Sequence, residues 1–260
     1  MDSKLSKGLE RTYIFCIFAF LYVPIAIIIM YSFNAAKSNV VFSGFTLDWY
    51  TKLFTDDDVI TALVNSLTIA TLSTIISAII GTLGAIGLKR HNFKGKGIIS
   101  LLVYIPIVIP EIIMGVSLLI LFSTLQIDLG IFTLVLAHTT FCTPFVFINV
   151  KSRLAGLDLS IEDAAMDLGA SKLTVFRTIT FPMILPAVLS GAMLAFALSL
   201  DDIIINIFLS GPASTTLPIK IFSMLKFGLS PEINALCTIM LVTTFAVLIL
   251  SQVIKIRREK

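Results

Sequence analysis

Three carboxylates stand inside stretches that otherwise hold no charge: Glu111 in the run 97–127, and the adjacent Asp201 and Asp202 in the run 181–210. An Asp at the centre of a membrane helix costs about 2.5–3.5 kcal/mol on insertion scales, so an acid kept there is a candidate functional group. The chemistry it offers is attraction of a cation or relay of a proton. Consecutive helical residues point about 100° apart, so Asp201 and Asp202 do not face one cavity equally. Glu111 follows Pro106 and Pro110 in YIPIVIPEIIMG. Each proline removes a backbone donor and kinks or breaks the helix, as in irregular backbone lining a cavity. At 1.5 Å per residue of straight helix, Glu111 lies about 21 Å and Asp201 about 30 Å from inner ends near Gly97 and Phe181, in the outer half of a bilayer. Three acids around a water-filled path favour a linear polycation. The alternative for Asp202 and Glu111 is pairing with a lysine such as Lys220, or a seat among the outer headgroups.

The elements that must position these acids follow from composition. Of 260 residues, 57% are hydrophobic and 13% charged, against about 45–50% and 25% in a soluble domain. That excludes an ordinary soluble enzyme, and a net charge of only +3 with this hydrophobicity excludes disorder. A crossing helix needs about 20 apolar residues, which predicts six spans near 12–33, 63–88, 97–123, 130–150, 183–209 and 234–254, an all-α integral membrane domain over 1–260. Continuous apolar runs argue against a β-barrel, whose strands alternate over about ten residues. The first run follows Lys4, Lys7 and Arg11 as a signal sequence would, but it exceeds the usual 7–15 apolar residues and no A-x-A site follows; it is expected as a retained anchor. With six spans the termini share a side, and cytoplasmic loops carry the Lys and Arg excess. On that side fall Lys4, Lys7, Arg11, Lys89, Arg90, Lys94, Lys96, Lys151, Arg153, Lys172, Arg177, Lys255, Arg257, Arg258 and Lys260; only Lys37, Lys52, Lys220 and Lys226 oppose them. Both termini are thus expected in the cytoplasm, with 34–58 outside and 151–180 as the largest inner loop. The basic excess requires no nucleic-acid partner.

The inner loop reads LSIEDAAMDLGASKLTVFRTITFPMILP. Ser160 can cap a helix with Asp163 at N3, and Glu162 and Asp163 suit the positive end of its dipole. Gly169 is a natural stop. Ile161, Ala164, Ala165 and Leu168 fall at i, i+3, i+4 and i+7, one apolar stripe that can rest on another protein. Ser171 then restarts a helix expected to run to Pro182. A connector lying on the bilayer is the alternative, against which acidic residues beside an anionic leaflet weigh.

This segment resembles the EAA signature of bacterial ABC-importer permeases: Glu-Ala-Ala, three residues, Gly, nine residues, then Ile-x-Leu-Pro. Here Asp163, Ala164 and Ala165 precede Gly169 at that spacing, and Ile179, Thr180, Phe181 and Pro182 follow; Asp replaces Glu and Phe replaces Leu. The resemblance implies a type I importer (MetI-like) permease fold in the bacterial cytoplasmic membrane. Its coupling helix, with Glu162, Asp163, Ala164, Ala165, Gly169, Ile179 and Pro182, would sit in a groove of a cytoplasmic ATPase. It further implies a second homologous permease, two ATPase copies, and a periplasmic or extracellular solute-binding protein. ATP and Mg would be held by the ATPase, leaving no cofactor or metal in this chain. The stretches FTLDWYTKLF at 45–54 and SLDDIIINIFLSGPASTTLPIKIFSML at 199–225 are similar to permeases of spermidine/putrescine importers. That similarity places Ser199 and Trp49 beside the three acids on an expected polyamine path.

Trp49 is the only tryptophan. It reads either as an interfacial anchor or as the best available ring face for an ammonium group. His138, mid-span, is expected to hydrogen-bond a neighbouring helix rather than relay protons. His91 needs no special role. Cys16, Cys142 and Cys237 lie far apart in apolar stretches and offer no disulfide framework. Gly81, Gly84 and Gly87 suit close helix packing. No G-x-x-x-x-G-K-[ST] is present, so ATP must be hydrolysed by another chain and this one is expected not to be an enzyme. An autonomous carrier using the three acids as relays is the competing class, but six spans without inverted repeats are few for it.

Overall fold

In a bilayer every backbone polar group must be satisfied within its own segment, which leaves helices as the means of spanning with runs like these. The computed structural model describes residues 2–259 save Ser38, Leu159, Phe227 and Leu229; side chains of 2–7, Val247, Leu248, Leu250 and 251–259 are outside the description. Lys4, Lys7, Lys255, Arg257, Arg258 and Lys260, used for orientation, fall in that group. The described elements are α1 (Asp2–Tyr31), α2 (Asp48–Thr55), α3 (Asp57–Arg90), α4 (Lys96–Val108), α5 (Glu111–Thr124) and α6 (Ile131–Ala155). After them come α7 (Ser160–Asp167), α8 (Lys172–Val175), a π turn (Phe176–Thr180), α9 (Phe181–Asp201), α10 (Ile204–Leu209), α11 (Leu217–Leu225) and α12 (Pro231–Glu259). No strand occurs among the described residues.

Four described helices are long and apolar enough to cross a membrane: Gly8–Tyr31, Asp57–Arg90, Ile131–Ala155 and Lys172–Asp201. They become five if α4 and α5, bent by 107°, form one broken span. α12 is apolar over Pro231–Ala246 among the residues with described side chains and continues as helix to Glu259. The break predicted from Pro106 and Pro110 falls at Ile109 and Pro110, both extended, as the residue before a proline prefers. Because the bend is so sharp, the straight-helix height of Glu111 does not apply.

The chain divides into two compact units, residues 1–60 with 221–243, and 61–220 with 244–260. In the first, α1 exposes Phe15, Phe20 and Tyr22, as a helix surrounded by hydrocarbon can. The segment after it is organised by Asn34, buried, whose amide donates to Val41 O at 2.8 Å and accepts from Ser43 N at 2.9 Å. The Tyr50 and Ser32 hydroxyls, 2.7 Å apart, tie α2 to the end of α1, and Lys52 pairs with Glu232 at 2.8 Å.

In the second unit α6 is the central helix, with Leu134, Val146, Phe147 and Val150 buried. α3 and α9 both approach α6 through glycines. A Cβ on Gly81 would stand 2.9 Å from Val146 Cβ, and one on Gly191 would stand 2.8 Å from Val146 Cα. Small residues let membrane helices approach until backbones touch, which gains the dispersion contacts that substitute there for a hydrophobic driving force. Gly84 meets only the Phe147 ring and Gly87 has open space, so the stripe serves packing within the chain at its first position.

Two expectations are corrected. The helix starting at Ser171 does not stop at Pro182; it is continuous over Lys172–Asp201. A π turn absorbs the proline, with Phe181 N donating to Phe176 O, since a wider turn relieves the missing donor and ring clash. Its far end comes earlier than 209, at Asp201, after which Asp202 is extended and α10 starts separately.

Candidate functional site

SLDDIIIN contains no glycine or proline, so the break after Asp201 needs another cause. The Asp202 carboxylate accepts from Ile205 N at 3.4 Å and Asn206 N at 3.2 Å, meeting the orphan donors of α10 as a capping side chain does. On its other side His138 Nε2 of α6 stands 3.5 Å from Asp202 Oδ2. His138 Nδ1 and Ser199 Oγ are 2.7 Å apart, and Ser199 Oγ and Ser73 Oγ 3.2 Å. A polar chain therefore crosses the buried unit from α3 through α9 and α6 to the break. The last step of the chain, His138 to Asp202, is a close approach rather than a hydrogen bond, and the Asp202 carboxylate finds its hydrogen-bond partners in the first amides of α10.

The chain sorts the acids. Asp202 and Ser199 are 7% and 3% exposed and turn inward, whereas Asp201, the last residue of α9, is exposed. Glu111 opens α5 directly after the Pro110 break and is half-buried. α5 packs along α10, and Glu111 lies within electrostatic reach of Asp202. The structure thus brings Glu111, Asp201 and Asp202 to two helix breaks in one unit. A broken helix leaves carbonyls of its last turn without intrahelical partners, and such C-terminal ends attract cations. The loop after α10 is fixed against α3: Asn65 Nδ2 donates to Ala213 O and Thr215 O at 3.1 and 3.0 Å, and Leu217 N donates to Ser66 Oγ at 2.8 Å.

Trp49 lies in the first unit. Its Nε1 donates to Asn34 O at 2.7 Å, and Lys52 Nζ lies 6.0 Å from the ring centroid, so the indole staples α2 and meets a cation of its own chain.

The inner loop forms α7 as expected, with one change at its start. Asp158 rather than the Ser160 hydroxyl meets the first N–H, accepting from Ser160 N at 2.9 Å. That bond holds the Asp158 carboxyl below the usual carboxylate range. Gly169 ends the helix at φ +89°, with Gly169 N donating to Met166 O and Ala170 N to Ala165 O at 2.9 and 3.0 Å, the paired bonds of a Schellman stop. Ile161, Ala164 and Leu168 are exposed and Ala165 half-buried, so the apolar stripe has no full cover within the chain. Asp163 is exposed. Glu162 instead turns to the chain's own helices: Arg90 Nη2 donates to Glu162 Oε2 at 2.7 Å and to Thr180 Oγ1 at 3.2 Å, while Thr180 Oγ1 donates to Glu162 Oε1 at 2.6 Å. Ile179 is half-buried in the π turn and Pro182 exposed at the start of α9. Among the described residues no cluster of His, Cys, Asp and Glu suited to a metal occurs.

Residues 74–258 match the family described as the binding-protein-dependent transport system inner membrane component. The chain belongs to this family. It is 44% identical over 246 residues to the spermidine/putrescine transport system permease protein PotC of Haemophilus influenzae, covering 95% of this chain and 96% of that one. To the putrescine transport system permease protein PotI of Escherichia coli K12 it is 47% identical over 231 residues, covering 86% and 82%. A bacterial ABC transporter involved in the import of the acidic polysaccharide alginate has a chain of the same fold, with TM-score 0.77 at 17% identity over 98% of this chain and 96% of that one. The fold is therefore that of ABC-importer permeases, an all-helical multi-pass membrane component of a transport system.

Within this permease fold two features were not read from the sequence: the chain Ser73–Ser199–His138–Asp202, and Arg90 as the partner of Glu162. His138 was expected to bond a neighbouring helix and does. What could have flagged Arg90 is its place at the last turn of α3, where a guanidinium near the acidic start of α7 can find a carboxylate.

Proposed function

We propose that this permease is one of two membrane subunits of an ATP-driven importer that carries polyamines of the spermidine/putrescine class into the cytoplasm. Six spans place both termini in the cytoplasm, with α12 as the sixth. α7 couples to a partner ATPase, two copies of which bind and hydrolyse ATP with Mg, and a solute-binding protein delivers the polyamine from outside. The observation that carries the substrate class is the 44% identity to a spermidine/putrescine permease along nearly the whole chain. The acids at the helix breaks supply a physical reason. An ammonium group leaving water loses solvation that only fixed negative groups can offset. Asp201, exposed at the end of α9, and Glu111 at the Pro110 break supply that charge, while Asp202 caps the helix that follows the break.

The test is reconstitution of the complete complex in liposomes with its binding protein, followed by ATP-dependent uptake of spermidine, putrescine, a neutral sugar and an anionic amino acid. Uptake restricted to the polyamines supports the reading, and uptake of another solute with none of either polyamine overturns it.

A further inference from the structure

α7 is short, and most of its apolar side faces away from the chain. Among the described residues, the side-chain hydrogen bonds that join it to other elements are those of Glu162. Both carboxylate oxygens are engaged, one by Arg90 at the end of α3 and the other by the Thr180 hydroxyl inside the π turn that leads into α9. Arg90 also donates to Thr180, which closes a triangle. Thr180 is 1% exposed, and the Arg90 and Glu162 side chains are 31% and 14% exposed, so the pair is screened less than a fully solvated one. The fork of a guanidinium can serve two acceptors at once, which a lysine ammonium does with less directional control. A π turn is a wide helical segment found often at functional sites, and here it carries the Thr180 hydroxyl that Glu162 of α7 accepts from.

From this geometry we propose that Arg90 is a positioning residue. With Thr180 it fixes α7 to the inner ends of α3 and α9, so that displacement of α7 by the ATPase moves both helices together rather than turning α7 alone. The proposal rests on the coupling role given to α7 above. α9 ends at Asp201, so the clamp acts on the same helix that presents the acid.

The experiment measures solute transported per ATP hydrolysed by the complete complex in liposomes with its binding protein. Arg90→Ala, Glu162→Gln and Thr180→Val are compared with the double charge exchange Arg90→Glu with Glu162→Arg. The ratio falls about fivefold or more for Arg90→Ala and Glu162→Gln, a factor typical of coupling energies between sites. It falls less for Thr180→Val, and the exchange recovers at least half of the loss. A merely structural pair would lower the yield of complex without changing this ratio. Near-isosteric Glu162→Gln and Thr180→Val keep the test readable should Arg90→Ala fold poorly. Wild-type ratios in both of these, or an exchange no better than Arg90→Ala, overturn the proposal. Ala164→Trp serves as the separate control: if it too leaves transport coupled, the coupling role of α7 falls, whereas if it uncouples while the Arg90 and Glu162 variants do not, only the clamp falls.

Discussion

The helix break after Asp201 and the loop carrying α7 spend polar residues in opposite ways. At the break the polar groups are buried and linked from three helices to the break itself, Ser73 to Ser199 to His138 to Asp202, and a single acid, Asp201, is left exposed. At α7 the polar link is one three-cornered contact at the edge of the unit, and an apolar face is left exposed. On the proposed function the first region would present a charge to the solute, and the second would offer its uncovered face to another chain. One helix, Lys172–Asp201, joins them.

That contrast breaks most readily at α7. Ala164→Trp fills an exposed position of the face without touching the chain's own interior, so membrane levels should hold. Uptake should fall about a hundredfold, the equivalent of roughly 2.7 kcal/mol, as measured by transport in cells expressing the whole system. Unchanged uptake would mean that nothing seats there.

The opposite signature is expected at the break. His138→Leu removes the buried hydrogen bond between His138 Nδ1 and Ser199 Oγ, which costs about 0.5–1.5 kcal/mol. Thermal unfolding of the purified complex in detergent should shift down by a few degrees, at roughly 2–4 °C per kcal/mol for a chain of this size. An unshifted transition would remove that bond as a support of the buried region.

Smaller effects sharpen the same distinction. Gly169→Val forces a β-branched residue to φ +89°, a conformation that costs an L residue about 1–2 kcal/mol, so uptake should fall severalfold while Gly169→Asn is milder. Equal uptake by the two would show that the turn does not limit coupling. Trp49→Phe, outside both regions, gives up one hydrogen bond to Asn34 O, about 0.5–1.5 kcal/mol. It should lower thermal stability slightly with near-normal uptake, whereas a large loss of uptake with unchanged stability would instead give the indole a role on the path.

What was legible in the sequence divides along the same line. The spacing from Asp163 to Pro182 and the stop at Gly169 are local, and a positive φ calls for glycine whatever surrounds it, so α7 was readable. The break at Pro110 was readable for the same reason, because a proline acts on its own backbone. Between Leu200 and Asn206 no glycine or proline marks the break; Asp202 caps the amides of Ile205 and Asn206, a local device that the apolar run around it conceals, while the approach of His138, some sixty residues away in the chain, is encoded by no periodicity. Pro182 shows the converse, a local stop signal overridden by a π turn whose hydroxyl is held by Glu162 and Arg90.

The central claim is that the acids at the two breaks offset the charge of a polyamine as it leaves water. Spermidine uptake by the complete reconstituted complex, measured for Asp201→Asn and Glu111→Gln separately and together, tests it most directly. The amides keep the shape of the acids and are less costly to insert, so yield and ATPase retention should not change. The account predicts uptake down about tenfold or more for each, which is about 1.4 kcal/mol of lost compensation, with a larger loss for the pair. Wild-type uptake by the double variant would contradict it.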